Sequence, residues 1–367
     1  MLITAAVART PKTPLTIEEI ELEAPRLHEI LVRLVATGVC HTDIAMRDQF
    51  YPVPQPIVLG HEGSGIVVSV GTGVTKVKPG DHVVITYNSC GHCESCLENQ
   101  PTYCHDFFGC NFGGSRADGS SPLKKGNEKI NGNFFGQSSF ATYSICTERN
   151  IVKVRNDAPL ELLGPLACGI QTGAGSIINA LKVGPGRSLA VFGVGSVGLS
   201  AVMAARLVGA ATIIAIDVHE DRLKVALELG ATHAINARNE SPVDRVMKIT
   251  GSGVHYSLET SSLPVVIRQA VESLTWRGIC GILGASPIGT EVSLDVVHLM
   301  TAGRKFRGIV EGESIPEIFI PQLIDLYMQG RFPFDKLIKF YPLAEINRAI
   351  EDSENGRTIK PVLRIKE

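Results

Sequence analysis

The chain has 367 residues, of which 44% are hydrophobic, 20% charged and 6% aromatic. This composition excludes a disordered or fibrous chain, and the length predicts about two domains. Thirty-five Lys and Arg against 37 Asp and Glu give a formal net charge of −2. We therefore expect neither a nucleic acid nor a membrane as partner, since both attract strongly basic surfaces.

The first 155 or so residues contain short β-branched runs bounded by Gly or Pro. Residues 29–36, 65–70 and 83–85 predict strands, the last after the turn at Pro79-Gly80-Asp81. Residues 107–136 are rich in Gly, Ser, Asn and Lys, and they predict a long surface excursion. This part of the chain is therefore expected to be mainly β.

From about Gly169 the chain alternates between apolar runs and helical patterns. Strands are expected at 188–192, 212–216, 234–236, 256–258 and 278–283, and helices at 196–208 and 221–229. Such alternation is typical of a parallel, doubly wound sheet. A helix over 318–329 and a strand over 361–365 follow. The uncharged stretch 188–205 is near membrane-span length, but its spaced glycines favour a strand and a helix.

A glycine fingerprint separates the first strand and helix of this part. It reads Gly193-Val194-Gly195-Ser196-Val197-Gly198. Such glycines permit a tight turn and a close approach of pyrophosphate to a helix N-terminus. Asp217 ends the next strand, where a carboxylate binds ribose hydroxyls and repels a 2′-phosphate. Arg222 could bind such a phosphate, but we expect it to brace the ribose, so the cofactor is expected to be NAD.

Four of the nine cysteines fall within 15 residues in the pattern C-x2-C-x2-C-x7-C. Four thiolates close a tetrahedral shell around Zn²⁺, which is the arrangement of a structural site. The ligands are Cys90, Cys93, Cys96 and Cys104. His92 and His105 in the same loop are expected to be solvated.

A second candidate ligand set is dispersed along the chain and consists of Cys40, His61 and Cys168. Two thiolates and one imidazole leave a fourth position open, as a catalytic zinc requires. Each residue alone is equally compatible with core packing. Spacing therefore does not establish this site.

Several motifs together resemble the zinc-containing alcohol dehydrogenases of the medium-chain dehydrogenase/reductase family. The family signature is present as Gly60-His61-Glu62-x2-Gly65-x5-Gly71-x2-Val74. Four further motifs occur in the same order along the chain as in the family. They are the segment around Cys40, the four-cysteine lobe, Cys168-Gly-x-x-Thr172 and the glycine fingerprint. The resemblance covers essentially the whole chain.

The resemblance implies an α/β protein of two domains. A GroES-like β-rich catalytic domain would comprise residues 1–169 and 313–367, with a zinc lobe at about 90–104. A Rossmann NAD-binding domain would comprise residues 170–312. The family also implies a homodimer or homotetramer, two zinc ions per chain, and oxidation of an alcohol to an aldehyde with NAD. Since residues 1–10 do not resemble a signal peptide, we expect a cytoplasmic enzyme.

The resemblance also assigns roles to individual residues. Cys40, His61 and Cys168 would hold the catalytic zinc, with Asp43 orienting His61 and Glu62 lying near the metal. The residues expected against the nicotinamide are Thr172 and Val197. Lys360 stands where the family often has an Arg, near either the cofactor phosphates or Glu62.

The proton path departs from one family pattern. Thr42 would pass the alcohol proton outward through the nicotinamide ribose. Many relatives end this path with a His five residues after the first zinc Cys, where this chain has Ala45. His41 is the nearest titratable replacement. The alternative, that His41 contacts the pyrophosphate and water completes the path, stays open.

Aromatic residues distinguish the chain from the glutathione-dependent formaldehyde dehydrogenases, which share both zinc sites. Those enzymes bind an anionic adduct with an Asp and an Arg, where this chain has Tyr51 and Phe108. Tyr87, Phe134 and Phe135 add further aromatic side chains, although core packing would explain each alone. The chain most resembles the aryl-alcohol (benzyl-alcohol) dehydrogenases, which act on small alcohols and aldehydes. Allylic alcohols such as geraniol, and the formaldehyde adduct, are alternatives.

Two other functions are weaker. A zinc-ribbon-like interaction protein explains the four-cysteine lobe but leaves the fingerprint and the dispersed ligands without a role. A quinone or enoyl reductase of the same superfamily lacks the catalytic zinc. Measured zinc content distinguishes the three.

Overall fold

The computed structural model describes residues 1–365. They form two compact units. The first unit comprises Met1–Cys168, Ile315–Met328 and the chain from Asp335 onward. The second comprises Gly169–Ser314 and Gln329–Phe334.

The N-terminal part of the first unit contains ten strands and four short helices. The strands are β1 (Leu2–Ala8), β2 (Thr16–Leu22), β3 (Glu29–Gly38), β4 (Ile57–Val58), β5 (Gly63–Val70), β6 (His82–Ile85), β7 (Leu123–Lys125), β8 (Glu128–Ile130), β9 (Tyr143–Thr147) and β10 (Ile151–Lys153). The helices are α1 (His41–Arg47), α2 (Glu94–Leu97), α3 (Phe107–Phe112) and α4 (Leu160–Leu163).

The second unit alternates strands and helices, as the sequence predicts. The strands are β11 (Ser188–Phe192), β12 (Thr212–Asp217), β13 (His233–Asn236), β14 (Val254–Glu259), β15 (Leu274–Ile282) and β16 (Lys305–Gly308). The helices are α5 (Gly169–Gly175), α6 (Ser196–Leu207), α7 (Glu220–Leu229), α8 (Pro242–Thr250), α9 (Pro264–Glu272) and α10 (Val296–Thr301).

The chain then returns to the first unit. The remaining elements are α11 (Pro316–Met328), β17 (Ile338–Pro342), α12 (Ile346–Glu354) and β18 (Lys360–Arg364). In this part β18 pairs antiparallel with β3, so the C-terminal segment completes a sheet begun near the N-terminus. The predicted helix over 318–329 and strand over 361–365 are present with boundaries shifted by one or two residues.

The first unit is built on two sheets. Five strands lie in the order β4-β1-β2-β7-β8, and all of their pairings are antiparallel. Seven strands form the other sheet, in the order β10-β6-β5-β3-β18-β17 with β9 also on β3. Ile30, Val32 and Leu34 of β3 alternate into a core that they share with side chains of β5 and β6. Leu31, on the opposite face of β3, packs in the core that contains Ile3 and Ile20 of the five-stranded sheet. The predicted GroES-like β-rich fold is confirmed.

The second unit has one parallel sheet in the order β13-β12-β11-β14-β15-β16. This is the order of a doubly wound dinucleotide-binding fold, so the predicted Rossmann fold is confirmed. All five residues of β11 are buried, which explains its continuous apolar run. The uncharged stretch 188–205 forms β11 and most of α6, and no described helix is long and apolar enough to cross a membrane.

The prediction of a surface excursion over residues 107–136 is wrong in large part. This stretch supplies α3, β7 and β8, and it buries Arg116 and Phe134. Arg116 binds the Glu29 carboxylate through Nε at 2.6 Å and Nη2 at 3.1 Å. The polar composition of the stretch therefore reflects hydrogen-bonded turns and buried ion pairs as well as solvent.

Candidate active site

Four potential metal donors of the first unit converge on one point. The ligand atoms of Cys40, His61, Glu62 and Cys168 all lie within 4.8 Å of one another. Cys40 follows β3 and caps α1, whereas Cys168 follows a 3-10 turn over Gly164–Ala167. The Thr86 hydroxyl donates to the Ala167 carbonyl at 2.7 Å and so fixes that turn. The fold thus assembles ligands that are 128 residues apart in sequence.

Asp43 holds two of the ligand-bearing segments together. Its Oδ1 accepts hydrogen bonds from His61 Nδ1 at 2.8 Å and from the Gly60 amide at 3.1 Å. Its Oδ2 accepts one from the Cys40 amide at 3.0 Å. The buried carboxylate therefore fixes the orientation of the imidazole, which is how a carboxylate supports a histidine that binds metal.

The donor set fits a zinc ion. His61 Nε2 is buried, and among residues 1–365 it has no hydrogen-bond partner. A hydrogen bond from Cys168 holds the pKa of the Cys40 thiol well below its usual range, and His61 and the Lys360 charge act in the same direction. This favours the thiolate, which is the form that binds metal. Two sulfurs and one imidazole nitrogen are the donor types of an open catalytic zinc site, so this set fits one.

Glu62 forms a fully buried ion pair beside these ligands. Lys360 Nζ lies 2.7 Å from Glu62 Oε1 and 2.6 Å from Oε2, and it also donates to the Val39 carbonyl at 3.2 Å. Burial raises the pKa of Glu62 to about 7, although the Lys360 charge opposes this. Of the two positions expected for Lys360, the structure shows the one at Glu62. Gly38 makes the pair possible, because a Cβ there would overlap the Glu62 carboxylate.

The four-cysteine lobe forms the second cluster of donors. The sulfurs of Cys90, Cys93, Cys96 and Cys104 lie within 4.8 Å of one another. Backbone amides point at them: the Cys90 amide donates to Cys104 Sγ at 3.2 Å and the His105 amide to Cys93 Sγ at 3.4 Å. The His105 bond is the main reason that the pKa of Cys93 falls to about 6. This arrangement fits a closed zinc site, and His92 and His105 are exposed as expected.

The aromatic residues form one cluster that ends on the His61 imidazole. The Phe135 ring stacks on His61 with centroids 4.5 Å apart and 28° between planes. The Phe134 ring contacts the same imidazole edge-on, with ring centroids 5.7 Å apart. The Phe112 ring lies between the other two groups of rings, with its centroid 5.2 Å from that of Phe135 and 6.3 Å from that of Tyr51. It therefore connects the rings that contact His61 to Tyr51.

The five aromatics predicted to line a pocket have different positions. Phe134, Phe135 and Tyr87 are all buried in the core, so they form the inner part of the cluster. Phe108 is 61% exposed and contacts Tyr51 at 6.2 Å, which puts it on the outer rim. Phe107 and Phe112 were missed, because α3 was expected to be a surface loop. The i, i+4 spacing of Phe108 and Phe112 was the available signal.

Phe135 is held in place by an unusual backbone. Asn133, Phe135, Gly136 and Ser138 have φ angles of 57°, 50°, 63° and 55°. The Asn150 side-chain amide donates to the carbonyls of Phe135 and Gly136 at 3.1 Å. Left-handed conformations at residues other than glycine are costly, and they persist where surrounding bonds enforce them. The stacking of Phe135 on His61 is therefore built into the fold.

The glycine fingerprint of the second unit lies between β11 and α6. Gly193 has a φ of 87°, and Gly198 packs so closely on it that a Cβ would overlap the Gly193 carbonyl. A Cβ on Gly195, by contrast, would meet no atom of residues 1–365 within 4 Å. Backbone conformation and packing therefore explain Gly193 and Gly198, and the open space at Gly195 leaves room for a ligand at the N-terminus of α6.

Asp217 ends β12 beside this turn. Its Oδ2 accepts a hydrogen bond from the Val194 amide at 2.8 Å, and its Oδ1 accepts one from the Val218 amide at 2.7 Å. The Nε atom of Arg222 is buried without a hydrogen-bond partner in the described part of the chain. The acid therefore connects the fingerprint to the end of the second strand, where a ribose is expected.

The remaining predicted residues lie at the start of two helices. His41 and Thr42 begin α1; His41 is exposed, and Thr42 Oγ1 lies 3.7 Å from Cys40 Sγ. In the second unit, α5 carries the buried Thr172, and Val197 is the second residue of α6. These two helices touch, because a Cβ on Gly173 would overlap the Val197 carbonyl.

Comparison with known proteins agrees with this geometry. Residues 26–156 match the alcohol dehydrogenase GroES-like domain, and residues 196–328 match the zinc-binding dehydrogenase model. A geraniol dehydrogenase of Castellaniella defragrans is 46% identical over 98% of this chain and 96% of its own length. The chain belongs to the zinc-containing alcohol dehydrogenases of the medium-chain dehydrogenase/reductase family.

Two solved structures of this family are similar over their full length. A benzyl alcohol dehydrogenase from Acinetobacter calcoaceticus is 48% identical, with a TM-score of 0.97 and complete coverage of both chains. An alcohol dehydrogenase zinc-binding domain protein from Burkholderia ambifaria is 55% identical, with a TM-score of 0.98 and the same coverage. The geraniol and benzyl alcohol enzymes differ in the alcohols that their names give, so the class of enzyme is established and the substrate is not.

Proposed function

We propose that this alcohol dehydrogenase uses NAD to interconvert a primary benzyl-type alcohol and its aldehyde. The observation that carries the proposal is the stacking of Phe135 on the ligand imidazole of His61, with Phe112 beside it. A planar, unsaturated substrate gains apolar burial and ring contacts beside such a cluster, and a small aliphatic alcohol gains few. The likeness to a benzyl alcohol dehydrogenase supports this choice.

Two zinc sites are part of the proposal. Cys40, His61 and Cys168 would hold the catalytic ion, and the four-cysteine lobe would hold a structural one. When bound, the catalytic zinc supplies Lewis acidity towards the alcohol oxygen and NAD accepts a hydride. The buried Asp43 keeps His61 Nδ1 protonated and directs Nε2 to the donor cluster.

The chain's own residues would move the alcohol proton. Thr42 Oγ1 lies beside Cys40 and can accept this proton while its own hydrogen passes outward. His41, exposed at the start of α1, would receive it next, with water as the alternative. In the second unit, residues 193–198 would bind the pyrophosphate, Asp217 and Arg222 the ribose, and Thr172 and Val197 the nicotinamide.

An allylic terpene alcohol is the second candidate. It is favoured by the 46% identity to a geraniol dehydrogenase. Geraniol is also unsaturated next to its hydroxyl carbon, so an aromatic wall suits both substrates. A glutathione adduct fits poorly, because Tyr51 and Phe108 offer no charge to its carboxylates.

The deciding experiment compares kcat/KM for benzyl alcohol, geraniol, ethanol and the glutathione–formaldehyde adduct, each with NAD and with NADP. We expect the highest value for benzyl alcohol with NAD. A higher value for geraniol would select the second candidate. Preference for ethanol or the adduct would contradict the aromatic substrate, and preference for NADP would contradict the role of Asp217.

A further inference from the structure

A tight turn in the second unit has an unusual backbone. Glu311, Gly312 and Glu313 form a 3-10 turn after β16, with φ angles of 47°, 64° and 49°. Left-handed backbone is disfavoured at residues with a side chain, and here two glutamates adopt it around one glycine. Such strain persists where other contacts enforce it, and it clusters at functional sites.

The Glu311 carboxylate is buried against α5. Its Oε2 accepts a hydrogen bond from the Thr172 hydroxyl at 3.2 Å, and Gln171 Nε2 lies 3.5 Å away. The turn and the helix are in backbone contact, since a Cβ on Gly312 would lie 2.6 Å from the Gln171 carbonyl oxygen. This close approach places the Glu311 carboxylate within hydrogen-bonding distance of the Thr172 hydroxyl.

The Glu313 carboxylate is engaged elsewhere. It forms an ion pair with Arg307 of β16, whose guanidinium also donates to the Ala180 carbonyl at 3.2 Å. The Glu311 carboxylate therefore bonds the predicted cofactor residue Thr172, whereas the Glu313 carboxylate pairs with Arg307. Glu313 is a matched control, with the same charge and the same left-handed backbone.

Contacts within the second unit connect Glu311 to the glycine fingerprint. Thr172 lies on α5, and its neighbour Gly173 packs on the Val197 carbonyl of α6. Val197 is itself part of the fingerprint, and Thr172 and Val197 are the residues that we propose to contact the nicotinamide. Glu311 therefore acts on one of the two residues at that end of the cofactor site.

We propose that Glu311 is a positioning residue for the nicotinamide ring. By accepting the Thr172 hydroxyl hydrogen, its carboxylate selects one side-chain rotamer and presents the Thr172 methyl group to the ring. The inference rests on the proposed use of NAD. It gives the strained turn a function, which is to bring a carboxylate to a hydroxyl that would otherwise rotate.

Calorimetric binding of NADH and of ADP-ribose to the full-length protein tests this role. ADP-ribose shares the adenosine, the pyrophosphate and the ribose with NADH but has no nicotinamide. In Glu311→Ala we expect about a tenfold loss of NADH affinity, the effect of one charge-assisted hydrogen bond, and less than a twofold change for ADP-ribose. Glu311→Gln keeps an acceptor oxygen and should recover most of the loss, and Glu313→Gln should bind both ligands normally.

Several results would overturn the proposal. They are unchanged NADH affinity in Glu311→Ala, an equal loss for both ligands, and a loss in Glu313→Gln as large as that in Glu311→Ala. Should Glu311→Ala fail to fold, Thr172→Val tests the same bond, because it removes the hydroxyl and keeps a methyl group. It should lose about tenfold in NADH affinity and less than twofold for ADP-ribose, and unchanged NADH affinity would contradict the role of the bond. If the unmodified protein binds neither nucleotide, the proposed use of NAD is wrong instead.

Discussion

Lys360 and Glu62 form an ion pair whose side chains are 1% and 0% exposed, beside the thiols of the candidate zinc site. The pair joins β18, near the C-terminus, to the segment that carries His61. Because both charges are out of water, each is stable only in the presence of the other. The C-terminal strand therefore supplies a positive charge beside the candidate zinc ligands, although none of those ligands lies on this strand.

Removing the lysine should destabilise the first unit. Lys360→Met leaves a buried, uncompensated carboxylate, so we expect a loss of about 3–5 kcal/mol in the free energy of unfolding, measured in urea. Lys339→Met removes one partner of the buried Asp352, which keeps its hydrogen bonds to Tyr341 and Arg357. Because the Lys339 side chain is 53% exposed, this change should cost less than about 1 kcal/mol. The double variant Glu62→Gln/Lys360→Met should regain most of the stability. Equal losses in the two single variants would contradict the account.

Substrate preference should depend on the ring stacked on His61. Phe135→Leu removes this ring and keeps an apolar side chain, so kcat/KM for benzyl alcohol should fall about 3- to 10-fold, with a smaller change for ethanol. The exposed Phe50 is a control, and Phe50→Leu should change neither value. If kcat/KM in Phe135→Leu fell equally for both alcohols, the ring would only support His61 and would not select the substrate.

Acid should weaken one ion-pair cluster on the first sheet. Hydrogen bonds from Arg9 lower the pKa of Glu18 from 4.5 to about 2. Because the folded value is the lower one, the stabilisation is complete above about pH 5 and is lost as the pH falls towards 2. We expect Glu18→Gln to cost about 1–2 kcal/mol at pH 7 and progressively less below pH 4.5. Glu21→Gln, which removes an acid of the same strand from a surface pair with Lys124, should cost less than about 1 kcal/mol at pH 7. A cost of Glu18→Gln that stays constant as the pH falls would refute the assignment.

The end of the proton path can be tested at His41. Histidine changes its charge between pH 5 and 8, whereas arginine remains protonated. If His41 carries the proton, His41→Arg should slow alcohol oxidation at pH 7 and alter the solvent deuterium isotope effect on kcat, with NAD affinity preserved. His105→Arg, an exposed control in the lobe, should leave both unchanged. An unchanged isotope effect together with shifted NAD affinity would limit His41 to phosphate binding.

The sequence predicts the features whose determinants are local. The lobe cysteines lie within 15 residues, and the fingerprint occupies six. The parallel sheet follows from apolar runs such as β11, which are buried on both faces. In each case neighbouring residues carry the whole signal.

Features that depend on distant contacts were not predictable in this way. Arg116 and Glu29 are 87 residues apart, and nothing near either residue marks it as buried. Lys360 had two possible partners, and only the pairing of β18 with β3 decides between them. The turn at Glu311 lacks a sequence signal, because left-handed glutamates are unusual and tertiary packing enforces them here.

The most direct test of the proposed enzyme is the zinc content of purified protein, with and without a change at Cys168. We expect about two zinc ions per chain in the unmodified protein. Cys168→Ser should keep its fold, retain one zinc and lose turnover, whereas Cys93→Ser should lose the other zinc and much of its thermal stability. One zinc or none in the unmodified protein, or near-normal turnover in Cys168→Ser, would contradict the account.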